Sequence, residues 1–120
     1  MEQLREQQKE ALRVSREYLG KLTAGIENLI SELKDGRKSD TDDFMKQCMD
    51  DLNWIIQIYS RTSDLINEGK IRIVKEEMNG SILRFNEAMK SREDSKIAES
   101  LERDILIFLH DLSKAIDEII

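Results

Sequence analysis

The stretch "DLNWIIQIYS" (residues 51–60) decides the fold. From Trp54 to Tyr59 every position but Gln57 carries a large apolar or aromatic side chain, in a chain that is otherwise heavily charged. A helix that covers one neighbour needs a single apolar stripe. This segment is apolar on more than one side. At about 100° per residue, Phe44, Cys48, Leu52, Ile55, Ile56, Tyr59 and Ile66 share one broad arc. Trp54, Ile58 and Leu65 fall on a second stripe. Two readings follow. The second stripe is the edge of the core in the most enclosed helix of a bundle, or it is an exposed patch for a partner helix or a second copy. In the second reading Gln47, Asp51 and Arg61 supply the polar rim.

Three further helical patterns surround this one. The first runs from near Glu2 to Leu33, with Tyr18, Leu19, Leu22, Ile26, Leu29, Ile30 and Leu33 on one stripe. Its opening, "EQLREQQKEALR", is polar almost all round, so residues 1–13 read as an extension that projects or frays, and packing is expected from near Val14. Gly36 is placed to close the helix. Helix two is announced by "SDTDDF", with Ser39 or Asp40 as cap and Asp42 and Asp43 complementing the dipole. It ends near Asn67. The third pattern spans about Lys70 to Lys90, with Ile71, Val74, Met78, Ile82, Phe85 and Met89 in phase across Gly80. Asp94 or Ser95 is expected to cap the fourth, which carries Ile97, Leu101, Ile105, Phe108, Leu112, Ala115, Ile116 and Ile119. Leu106 reads as secondary core, and Ile107 is left between core and contact surface.

These patterns predict an all-α fold of one domain, residues 1–120. Short connections make it an antiparallel up-down bundle of four helices. Three long helices plus a loose fourth is the alternative. The 120 residues contain no proline and five glycines, and 37 % are charged, which suits helices. The net charge of −6 argues against a general grip on nucleic acid or an anionic membrane. The apolar runs are too short for a bilayer span, and "MEQLREQQKE" has no apolar region of a signal peptide. One cysteine, Cys48, permits no internal disulfide and fits a reducing cytoplasm.

Site chemistry is sparse. A di-iron bundle needs Glu-x-x-His motifs, whereas the lone histidine, His110, has Ile107 three residues before it and falls on a polar face. Cys48 lies on the apolar arc and reads as an inert core thiol. "KDGRKSDTDDF" lacks the EF-hand spacing. No glycine motif for phosphate is present. Asp104, at the edge of the last stripe, is expected to pair with a neighbouring Lys or Arg. No metal, no cofactor and no enzymatic activity are expected.

"YLGKLTAGIENLISELKDG", "MDDLNWIIQIYS" and "NEAMKSREDSKIAESLERDILIFLHDL" together resemble a group of small helical proteins of Firmicute-type bacteria, over roughly residues 18–116. The final helix, "IAESLERDILIFL", departs from the Tyr-Glu-Leu element of that group. The group is similar in size and plan to flagellar export chaperones. That resemblance implies a cytoplasmic bundle that sequesters a helical segment of a protein partner, and it transfers no binding residue. The residues themselves nominate Trp54, Ile58, Leu65, Arg61 and Ile107 for partner binding, by a helix-in-groove mode, with self-association through helix two as the alternative.

Overall fold

The computed structural model describes residues 2–120, and among these there is no strand. Helix α1 (Glu2–Asp35) is one unbroken rod. With no proline to interrupt it, its apolar residues recur at three and four, and its length of about 51 Å follows from 1.5 Å per residue. Gly36 ends it at a positive φ of 133°, its amide bonding the carbonyl of Glu32 at 3.0 Å. Helix α2 spans Thr41–Ile66 and α3 spans Lys75–Ser91. The fourth helix, α4, occupies residues 94–119. It runs as Asp94–Ser100, a π-helical turn at Leu101–Ile105, and Leu106–Ile119. The π turn is closed by the Leu106 amide reaching back to the carbonyl of Leu101.

Polar contacts fix the directions. Gln8 reaches Asp64 while Tyr18 reaches Asp51, so α1 and α2 are antiparallel. Lys34 pairs with Glu102 and Arg16 with Asp117, so α4 also runs against α1. Arg84 pairs with Asp104, and Val74 and Met78 share a groove with Phe108, so α3 is antiparallel to α4. The result is the expected all-α, up-down arrangement of four helices. Its closest packing joins α1 to α2, α1 to α4, and α3 to α4. Leu12, Ile26, Leu29, Ile55, Ile66, Leu101, Ile105, Leu109, Leu112 and Ile116 are completely buried in one continuous core. The Tyr59 ring meets Phe108 edge-on inside it, with centroids 5.7 Å apart.

Several local expectations are corrected. Packing starts ahead of Val14, which is exposed, because Gln8 and Leu12 are already buried. The Gln8 amide donates to the carbonyl of Arg61 and to Asp64, and Arg5 joins the same carboxylate. The polar opening therefore supplies hydrogen bonds to the end of α2. Neither Ser39 nor Asp40 caps α2; Asp40 makes no side-chain cap bond. Thr41 accepts the Lys38 amide and donates to Glu32 instead. Asp94 does not cap α4, because Arg37 holds both its oxygens at 2.8 Å.

The third helix begins at Lys75, not Lys70. Residues 67–74 form a loop in which the Asn67 side chain accepts from the amides of Arg72 and Ile73 and donates to the carbonyl of Ile73. Arg72 in turn donates to the free carbonyls of Ile66 and Glu68. These bonds satisfy the backbone groups that a helical turn would use, so the loop wins locally. Ile71, placed on the stripe by its spacing, is 74 % exposed, and Ile73 is buried in its stead.

Candidate interaction surface on α1 and α2

Antiparallel packing of α1 on α2 brings Tyr18 against Trp54. Their rings meet edge-on, centroids 5.0 Å apart at 63°. Each is 37 % exposed, so both present ring surface to solvent. The Tyr18 hydroxyl donates to Asp51 at 2.7 Å. That bond and the carboxylate's charge hold the phenol protonated, raising its pKa above the ordinary value. The arrangement is an edge-on aromatic pair with an acidic rim, and Trp and Tyr are the side chains best suited to anchor a partner.

Beside the pair lies a groove of about 230 Å³, lined by Tyr18, Leu22, Gly25, Phe44, Cys48 and Asp51 with Lys21 and Gln47 at the edges. Gly25 makes part of its floor: a Cβ there would lie 3.7 Å from the Cys48 Sγ. The absence of a side chain opens the space between the helices. Burial, followed by the charges of Asp51 and Glu32, pushes the Cys48 thiol up to about 11. It is a neutral wall of the groove and no nucleophile at neutral pH.

The structure separates the nominated residues. Trp54 and Arg61 are exposed on α2, but Ile58 and Leu65 are buried at 9 % and 5 %. The expected exposed patch of Trp54, Ile58 and Leu65 therefore does not exist as a continuous surface. Gln8 sits against Arg61 and Tyr18 against Asp51, so the intervening turns of α1 lie along the stretch that holds Ile58. Ile107 is 55 % exposed but belongs to a different seam, beside Val74, Met78 and Phe108. Sequence reasoning missed Tyr18 as a surface residue, because its place on the α1 stripe predicts core. Its pairing with Trp54 depends on the α1–α2 register, which spacing within one helix does not contain.

The remaining clefts offer less. One of about 680 Å³ between the end of α1 and the start of α2 is lined by Glu32, Asp35, Asp40 and Asp43. Among the described residues no group of three metal-ligating side chains is close enough to hold an ion. His110 is exposed, as its polar face predicts. Asp104 has the partner its position predicted: Arg84 donates to it at 3.0 Å and Ser100 at 2.9 Å. No helix among the described residues is long and apolar enough to cross a membrane.

The profile of one family, Domain of unknown function (DUF8042), matches residues 10–115. The chain belongs to this family. The matched DUF8042 region runs from within α1 almost to the end of α4, so it includes the aromatic pair, the Gly25 groove and all of α3. No curated protein and no solved structure matches the chain.

Proposed function

We propose that this DUF8042 protein is a non-enzymatic, cytoplasmic interaction module that binds a helical segment of a protein partner along the α1–α2 face. The observation that carries this reading is the edge-on Tyr18–Trp54 pair, its Tyr18 hydroxyl bonded to Asp51, left partly open beside an apolar groove. An anchor side chain from an amphipathic helix fits such a groove, and the two rings supply contact area at little cost in side-chain freedom. A chaperone or assembly adaptor of the flagellar export type is the specific role that the sequence resemblance suggests. Pairing of two copies through α2 is the competing use of the same rings.

Capture of the tagged protein from its host, followed by mass spectrometry, tests the reading when two variants run alongside. Trp54→Glu removes the anchor, and Gly25→Leu fills the groove from its floor. Trp54→Glu forfeits the ring contact with Tyr18 and the apolar area the indole covers, so circular dichroism runs on each variant and only folded protein is compared. A stoichiometric partner held by the wild type and lost by both folded variants is the expected result. A partner held equally by all three proteins would sink the assignment of this face. Capture of the protein's own second copy alone would replace it with the dimer.

A further inference from the structure

We propose that α3 is a strap that opens as a unit while α1, α2 and α4 remain folded. The inference is independent of the reading of the Trp54 face. Of the 17 residues of α3 only Met78 and Phe85 are buried, whereas α1 and α2 bury nine each. Buried apolar contact is what ties an element to the global unfolding event, so α3 is the element least tied to it. Its closest packing is to α4 alone. Its interior carries Gly80, and its first turn has no side-chain cap.

The two ends are pinned where the middle is not. Before α3, Ile73 is buried and held by two bonds to the Asn67 side chain, which also accepts from the Arg72 amide. After it, Asp94 is clamped by Arg37 from beyond the end of α1. Between these anchors the polar tether is Arg84 on Asp104. The Arg84 side chain is 63 % exposed, so water competes for the guanidinium, while Asp104 keeps Ser100 as a second donor when Arg84 leaves. A groove of about 750 Å³ runs along the surface between the second half of α3 and α4, lined by Arg84, Ala88, Ser91, Lys96, Ser100 and Arg103 among others. Rotation about residues 74 and 92–93 would free the strap and bare Phe108 and the Asp104–Ser100 pair.

Native-state hydrogen exchange on the full chain, read by mass spectrometry across low urea concentrations, tests the strap. A helix of 17 residues freed from α4 melts readily in water, so amides of residues 79–91 should exchange at least about tenfold faster than the slowest amides of α1, α2 and α4, with a urea dependence clearly smaller than that of global unfolding. Arg84→Met should raise the rate in this segment several-fold and leave the other helices unchanged. If α3 exchanges at the common slow rate with the steep urea dependence of global unfolding, the strap does not exist. If Arg84→Met speeds all four helices alike, α3 is part of the cooperative unit and the proposal falls.

Discussion

Ile58 and Trp54 lie one helical turn apart on the same stripe of α2, yet they have different physical roles. Ile58 is 9 % exposed beneath α1, while Trp54 stands at 37 % against Tyr18. Replacing Ile58 by Ala removes three methyl or methylene groups from a packed seam and leaves a void there. Urea denaturation should show a loss of about 2–5 kcal/mol for Ile58→Ala. A loss below about 1 kcal/mol would mean that α1 does not cover Ile58. The stripe itself was legible in "DLNWIIQIYS"; which of its members α1 covers was not. That depends on how far α1 extends, and the signal is Gln8, a polar residue whose burial rests on hydrogen bonds to Arg61 and Asp64 rather than on apolar area.

At the scale of elements, the helices declared themselves through period and their ends did not. Period reports which face is buried, whereas an end is set by whichever side chain wins a backbone group. Asn67 and Arg72 won the region after α2, so α3 starts at Lys75 although Ile71 and Val74 keep the helical phase. Arg37 took Asp94 from its expected role as a cap. Several such ends are tied by carboxylates held below their ordinary pKa. Asp94 is lowered chiefly by Arg37, Asp64 by Gln8, Glu118 by Arg72 and then Lys70, and Glu102 by Lys34. In each case the unfolded chain takes up a proton before the folded one as the pH falls. Their contribution is complete above the ordinary carboxylate range, about 4, and is lost on acidification through it. The urea midpoint should stay level between about pH 7 and about pH 5 and fall by about pH 3. Because these groups are solvent-facing, added salt should blunt the fall. A midpoint that rises on acidification would contradict the assignment of these pairs.

Over the whole molecule, the shape follows from α1. The protein measures 48 × 25 × 19 Å with a radius of gyration of 15.1 Å, above the roughly 13.6 Å typical of a rounded domain of this length. One helix as long as the molecule serves as the spine: α2 and α4 pack on it, and α3 rides on α4. This architecture was legible in the sequence because four apolar stripes and three short connections leave few alternatives. The candidate site was legible only in Trp54, since Tyr18, Asp51 and the opening at Gly25 join it through the register of two helices. On the proposed function, the exposed Tyr18–Trp54 pair is the surface that a helical partner covers. Trp54 is the sole tryptophan, so its emission reports on that pair alone. The most direct measurement is acrylamide quenching of this emission, first in the free protein and then with the captured partner bound. Ready quenching in the free protein and shielding in the complex are expected. A free protein that resists quenching, or a complex quenched as readily as the free chain, would contradict the proposed function.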